Sequence, residues 1–174
     1  LGDVYKRQSL IVRGRQDLVA RCFLVRHGET KWNAEGRVQG HLDSPLTDIG
    51  RRGASCLAAR LHSVLFNAGY CSDLGRARNT MNAIINGTTP SVEFLSDLRE
   101  KAYGSWEGIT FQEVRNRYFD EYQRLFEDDI DFAPSGGESD VDLVQRTKRF
   151  VDKVNHTHSE DEDVLIVAHG GSLR

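Results

Sequence analysis

The chain has 174 residues, the usual size of one domain with a single core, and its 39% hydrophobic and 28% charged residues exclude a disordered or fibrous protein. A formal net charge of -3 gives no general basic field for nucleic acid, and no apolar run approaches the roughly 20 residues that a membrane span needs. We therefore expect one domain with neither nucleic acid nor membrane as a partner. Any anion site must be a local group of Arg and His.

The cysteines indicate a reducing compartment. Cys22, Cys56 and Cys71 form no C-x-x-C pair and lie in apolar stretches. This usage fits reduced, buried thiols and neither a disulfide framework nor a zinc site. We therefore expect a cytoplasmic location.

The two ends of the chain differ from the rest. Residues 1–8 lack apolar periodicity and resemble translated adapter sequence, while residues 9–21 are basic and irregular, as in a disordered lead-in or the tail of a targeting segment. We expect residues 1–21 to lie outside the fold. The chain stops where an α/β unit normally enters its next helix, so residues 22–174 are predicted to form one domain lacking its C-terminal part. The apolar face left uncovered would favour poor folding or association.

The first predicted elements are a strand and two helices. The unbroken apolar run from Cys22 to Val25 suits a parallel strand buried on both faces, and it leads into Arg26 and His27. Two apolar stripes at helical spacing follow, with Ser72 as a candidate cap of the second helix. The stripes contain Ala54, Leu57, Ala58, Leu61, Val64 and Leu65, and then Ala77, Met81, Ile84 and Ile85.

The second half continues the alternation of strands and helices. Val92 and Phe94 alternate with polar neighbours and predict a strand that leads to Glu100. A capping-box pattern at Thr110 opens a third helix, and Ser139 opens a fourth. The apolar residues assigned to the fourth helix are Val141, Val144, Val151 and Val154. A last unbroken apolar run, Val164 to Ala168, precedes His169-Gly170-Gly171.

This alternation predicts an α/β three-layer sandwich, a mainly parallel sheet with helices on both faces. Such sheets carry their sites at the carboxyl ends of the strands, where Arg26, His27 and His169 fall. Arg offers a planar fork to phosphate oxygens, and His can be a nucleophile when neutral or a donor when protonated. Each His could also be a buried polar residue that caps a strand. Their matching placement favours a phosphate site.

Further motifs make the chain resemble the histidine phosphatase (phosphoglycerate mutase-like) superfamily in its short phosphatase branch. The resemblance covers Phe23 to Arg174, with the motifs in family order. They are Leu24 to Thr30 with Asn33, Gly36 to Gly40, Asp43 to Thr47, Ser72 to Ala77, Leu98 to Glu100 with Gly104 to Gly108, Gly136 to Ser139, and Val164 to Gly171.

The resemblance implies a phosphatase that works through a phosphohistidine and needs neither cofactor nor metal. His27 would take up the phosphoryl group, with its second ring nitrogen donating to a backbone carbonyl. Arg26, Arg76 and His169 would surround the transferred group, with Arg78 as a competitor for the role of Arg76. Glu100 would protonate the leaving oxygen and then take a proton from water, unless it is a solvated loop residue.

Four further positions match substrate or phosphate contacts in the family: Asn33, Gln39, Gly40 and Gly170. The first three could equally be turn residues. Cys71 stands where relatives often have Ser or Thr, a change that touches no catalytic role. A small phosphorylated metabolite is the expected partner, and the sequence specifies neither that metabolite nor the oligomeric state.

Three alternatives to a phosphatase remain at this point. A phosphoglycerate mutase of this family carries a long insertion with paired arginines, whereas residues 108–135 are short, acidic around residues 127–131, and without such a pair. A catalytically silent binding protein typically loses the nucleophile or the acid, yet His27 and Glu100 are both present. An esterase using the His169-Gly170-Gly171 turn lacks the G-x-S-x-G nucleophile motif. A broad phosphatase is favoured.

Overall fold

A parallel sheet in the order β1-β4-β2-β3 forms the centre of the described part of the protein. The structure, a computed structural model, describes residues 19–85, 91–125 and 129–174. The strands are β1 Arg21–Arg26, β2 Ala68–Ser72, β3 Val92–Leu95 and β4 Asp163–Ala168. The α-helices are α1 Lys31–Ala34, α2 Asp48–Leu61, α3 Gly75–Ile85, α4 Phe111–Arg117, α5 Phe119–Arg124 and α6 Asp140–Thr157, and short 3-10 helices occupy Ser96–Leu98 and Gly104–Trp106.

The central strand β4 is buried along its whole length, which explains its unbroken apolar sequence. It pairs with β1 so that Arg26 lies opposite Ala168, and with β2 so that Cys71 lies opposite Val167. All three strands therefore finish at the same edge of the sheet. The residues that follow them must meet there.

Helices cover both faces of the sheet. Alternate residues of a strand point to opposite faces, so Leu165 and Val167 face α2 and α3, while Val164 and Ile166 face α6. The α2/α3 side of the core also contains Val25, Phe66, Cys71, Ala77, Met81 and Ile84, and the α6 side contains Tyr70, Leu98, Phe150 and Val154. The predicted three-layer α/β sandwich is confirmed.

Both predicted capping boxes are present. Thr110 accepts a hydrogen bond from the N3 amide of α4, and Ser139 does the same for α6. The third helix is not continuous, because Tyr118 leaves helical geometry and separates α4 from α5. Val144, one of the apolar residues assigned to the fourth helix, lies in α6 and is exposed.

Two details of the first two helices also differ from expectation. Helix α2 ends at Leu61, so Val64 and Leu65 lie beyond it, and Leu65 is exposed. Ser72 is the last residue of β2 and not the cap of α3, which begins at Gly75. Its hydroxyl is used elsewhere, as described below.

The expectations for the cysteines, the chain ends and a membrane span can be compared with the described residues. Cys71 is buried, but Cys56 is exposed on α2, so the prediction that all three thiols are buried is wrong. Residues 1–18 and part of the acidic stretch at 127–131 lie outside the described residues, and the domain boundaries stay predictions. No helix in the described ranges has the length and apolar character to cross a membrane.

Candidate active site

Two histidines meet at the carboxyl edge of the sheet. His27 follows β1 and His169 follows β4, and the backbone N–H of His27 donates to the carbonyl of Ala168 at 3.0 Å. Their ring centroids lie 5.0 Å apart. Because β1 and β4 are neighbours in the sheet, residues far apart in the sequence form one site.

The imidazole of His27 is only 5% exposed and has a defined tautomer. Its Nδ1 lies 2.7 Å from the carbonyl oxygen of Gly28, which can only accept, so Nδ1 carries the proton. Burial lowers the pKa of His27 to about 3, helped by the charges of Arg76 and Arg26. The ring is therefore neutral at neutral pH, with a lone pair on Nε2. The Nδ1 contact is the one expected from the sequence.

Arg76 lies in the first turn of α3 and is 1% exposed. Its terminal nitrogens donate to the carbonyls of Leu42 and Gly40 at 2.8 and 2.7 Å, and one of them pairs with Asp43 at 3.1 Å. Burial lowers the pKa of Arg76, and Asp43 opposes that shift. The guanidinium is thus fixed in orientation, while its buried Nε has no hydrogen-bond partner among the described residues. Arg78, the alternative, instead lies over the ring of Phe94 at 4.1 Å.

His169 is fully buried beside His27. Its Nε2 lies 2.8 Å from the hydroxyl of Ser72, while Nδ1 contacts no hydrogen-bond partner within the described part of the chain. Burial lowers the pKa of His169, and the nearby charge of Arg76 adds to the effect. This ring is also neutral at neutral pH.

Arg26 and Gly170 form the outer side of the site. Arg26 is exposed, and its Cζ lies 3.4 Å from where a Cβ on Gly170 would stand. The guanidinium therefore lies against the backbone of the His169-Gly170-Gly171 turn. Its charge also contributes to the low pKa of His27.

The carboxylate of Glu100 reaches the same turn from another loop. It accepts hydrogen bonds from the N–H of Gly171 at 2.9 and 3.2 Å and from the N–H of Lys101 at 2.9 Å. A Cβ at Gly171 would stand 2.2 Å from the Glu100 carboxylate, so this close approach requires glycine. These hydrogen bonds tie the half-buried carboxylate of Glu100 to the turn that follows His169.

A buried ion pair holds the loop that carries Glu100. Arg146 on α6 donates to the carbonyls of Asp97, Arg99 and Glu100 at 2.7 to 2.9 Å. It also forms two hydrogen bonds with Glu138, at 2.8 and 2.7 Å. One planar guanidinium thus satisfies three loop carbonyls and a carboxylate, which fixes the loop against α6.

The remaining predicted contacts lie on the loop between β1 and α2. Gly40 has a positive φ of 54°, and a Cβ there would stand 2.0 Å from Glu107. Gln39 is buried with its Oε1 3.0 Å from the hydroxyl of Thr30. Asn33 accepts from the Thr30 N–H in the capping box of α1. Gly40 is tied to the site through Arg76, whereas the side chains of Asn33 and Gln39 bind Thr30.

Several residues that contact the candidate site had no role in its chemistry assigned from the sequence. Ser72 contacts His169, Asp43 pairs with Arg76, and the hydroxyl of Thr80 accepts from the N–H of Gly28 at 3.0 Å. Ser72 and Asp43 lie within recognised motifs, which was a usable signal. Thr80 and Arg146 carry no local signal, because each acts on a residue distant in sequence.

The described residues contain no group of three or more His, Cys, Asp or Glu side chains arranged to hold a metal ion. The positive charge near the two histidines comes from Arg26 and Arg76, as their effects on the pKa of His27 indicate. Such a site can bind an anion, and its neutral His27 can act as a nucleophile.

Comparison with known proteins agrees with this chemistry. Residues 22–174 match the family model described as histidine phosphatase superfamily (branch 1). A metal-independent phosphoserine phosphatase from Arabidopsis thaliana is 37% identical over 159 residues, which cover 90% of this chain and 66% of the relative. A 2,3-bisphosphoglycerate-dependent phosphoglycerate mutase from Gloeobacter violaceus is 33% identical over 160 residues, which cover 90% and 73%.

A similar solved structure is the alpha-ribazole phosphatase from Shigella flexneri. It superimposes with a TM-score of 0.81 at 31% sequence identity, covering 87% of this chain and 75% of that one. The chain therefore spans 66% to 75% of the length of these proteins.

Proposed function

Because this chain belongs to the histidine phosphatase superfamily, branch 1, we propose that it hydrolyses small phosphorylated metabolites through a phosphohistidine on His27. Similar proteins are named as phosphatases for phosphoserine and for alpha-ribazole, which supports a phosphoric monoester hydrolase. A cytoplasmic site of action remains a prediction from the sequence.

The observation that carries the proposal is a pair of unpartnered buried nitrogens beside a neutral nucleophile. Arg76 Nε and His169 Nδ1 lack a hydrogen-bond partner among the described residues, although both side chains are otherwise fixed. Burying a polar nitrogen without a partner costs about 1–3 kcal/mol. A phosphoryl group seated against His27 would supply oxygens to both nitrogens and offset that cost.

The proposed chemistry gives each of these side chains one role. Nε2 of His27 attacks phosphorus, the bond from phosphorus to the ester oxygen breaks, and Glu100 gives that oxygen a proton. A water then attacks the phosphohistidine while Glu100 takes its proton, which releases phosphate and restores His27. Arg26, Arg76 and His169 offset the charge that spreads over the phosphoryl oxygens.

The acceptor of the phosphoryl group separates a phosphatase from a mutase. A mutase must also hold a second phosphorylated acid, and residues 108–135 offer no adjacent arginine pair for its carboxylate. We therefore favour water as the acceptor and hydrolysis as the reaction. The chain retains both His27 and Glu100, the proposed nucleophile and the proposed acid, which argues against a silent phosphate-binding protein.

The test is phosphate release from phosphosugars, phosphoserine, phosphoglycerates and p-nitrophenyl phosphate in the presence of EDTA. We expect metal-independent release that is lost in His27→Ala and retained in His62→Ala, a change at an exposed histidine on the C-terminal end of α2. Transfer of phosphoryl groups between phosphoglycerates without release of phosphate would move the assignment to a mutase. Tight phosphate binding without either reaction would indicate a silent binding protein.

A further inference from the structure

We propose that Ser72 is a positioning residue that fixes the tautomer of His169, so that its Nδ1–H points to the phosphoryl group. The inference rests on the proposed function and deepens it. It concerns how a neutral histidine is made a donor toward an anion.

The hydroxyl of Ser72 lies between two defined partners. Ser72 is fully buried at the end of β2, and its Oγ lies 2.8 Å from Nε2 of His169. The same Oγ accepts from the backbone N–H of Leu74 at 3.4 Å. A serine hydroxyl has one proton to donate and lone pairs to accept with. With the Leu74 N–H directed at the lone pairs, the proton is free to point at His169.

A neutral His169 has only two arrangements of its single ring proton. With the proton on Nε2, Ser72 would be the acceptor, its own hydroxyl proton would have no acceptor among the described residues, and the lone pair of Nδ1 would be unpartnered as well. With the proton on Nδ1, Ser72 donates to Nε2, its hydroxyl is satisfied, and only the Nδ1–H is left without a partner among these residues. The hydrogen-bond pattern therefore selects Nδ1–H, leaving Nδ1 as the unpartnered donor.

The tautomer matters because of the charge of the ligand. A lone pair on Nδ1 would repel a phosphoryl oxygen, whereas an N–H would donate to it. The main chain of His169 is anchored independently, since its backbone N–H donates to the hydroxyl of Ser172 at 3.2 Å. Ser72 thus sets the direction of the proton, and other contacts set the position of the residue.

Two substitutions separate the hydroxyl from the shape of the side chain. Ser72→Ala removes the donor with little change in volume, and Ser72→Thr keeps the hydroxyl. We expect Ser72→Ala to lower kcat by about 10-fold to 100-fold, as for a weakened donor to the transition state, with a smaller change in KM. Ser72→Thr should recover most of the loss.

The direct readout is the ring nitrogen spectrum of 15N-histidine-labelled protein at neutral pH, with the His169→Gln variant identifying the His169 signals. We expect the wild-type protein and Ser72→Thr to show a protonated Nδ1, and Ser72→Ala to show a mixture or the Nε2–H form. A protonated Nε2 in the wild type would overturn the proposal. A Ser72→Ala variant in which the spectrum or kcat is unchanged would overturn it as well.

The spectrum is independent of turnover, which separates this proposal from the proposed function. If no protein, wild type included, formed a phosphohistidine on His27, the proposed function would fail while the tautomer could still be determined. If the wild type formed it and Ser72→Ala formed it at the same rate with the same spectrum, only the role of Ser72 would fail.

Discussion

Replacing His27 with glutamine should make the stability of the protein less sensitive to acid. In the folded protein, burial lowers the pKa of His27 to about 3, whereas in the unfolded chain the pKa returns to its ordinary value near 6.5. Between these values the unfolded chain binds more protons, so the free energy of unfolding rises with pH. The free energy of unfolding therefore begins to decrease as the pH falls below about 6.5, and the contribution of His27 to this decrease is complete near about pH 3.

The size of the effect follows from the two pKa values. Moving from about pH 8 to about pH 5 protonates this side chain in the unfolded state only, which lowers the free energy of unfolding by about 2 kcal/mol. His27→Gln removes this contribution. The buried His169 contributes in the same direction in both proteins, so the comparison isolates His27.

Urea unfolding followed by tryptophan fluorescence at the two pH values measures this difference. We expect wild type to lose about 2 kcal/mol more than His27→Gln between them. The exposed His62→Gln should behave as wild type. Equal losses in wild type and His27→Gln would refute the argument that His27 is neutral because it is buried.

Three further substitutions test how the site is built. The lysine in Arg76→Lys cannot donate to two carbonyls and a carboxylate as the planar guanidinium does. We expect kcat/KM to fall by about 10²–10³ in this variant and to change little in Arg78→Lys. Thr80→Val leaves the half-buried amide of Gly28 without its acceptor and should cost about 1 kcal/mol in urea unfolding, with Thr80→Ser close to wild type. Arg146→Met breaks a buried ion pair and should cost about 3–5 kcal/mol, against less than about 1 kcal/mol for the exposed Arg149→Met. Equal effects of Arg76→Lys and Arg78→Lys, or of Arg146→Met and Arg149→Met, would contradict the contacts described. An unchanged stability of Thr80→Val would do the same.

The elements that the sequence predicted correctly are those with local causes. The unbroken apolar runs before Arg26 and His169 identify β1 and β4. Only β4 is buried along its whole length, whereas most residues of β1 are partly buried or exposed. The capping boxes at Thr110 and Ser139 satisfy backbone N–H groups within one turn, so the start of each helix is encoded in a few adjacent residues. The shared edge of the sheet then brings the two histidines together.

The features that the sequence did not predict concern side chains whose surroundings are set by distant residues. Ser72 has the residue type and position of a helix cap, but its hydroxyl binds His169, 97 residues away. Arg146 looks like part of the polar face of α6, yet it donates to the loop that carries Glu100. Val144 fits an apolar stripe and is exposed. A spacing pattern cannot show which neighbour a helix face or strand end will meet.

The most direct test of the account is the detection of a phosphoryl group on His27. Glu100→Gln should be mixed with p-nitrophenyl phosphate in EDTA, quenched in base and analysed by mass spectrometry. This leaving group needs no proton, so His27 should be phosphorylated, while hydrolysis of the phosphohistidine, which needs Glu100 to accept a proton, should slow. We predict accumulation of phosphate on His27 in this variant and none in the His27→Gln, Glu100→Gln double variant. Release of p-nitrophenol with phosphate on no residue, or on a residue other than His27, would contradict the account.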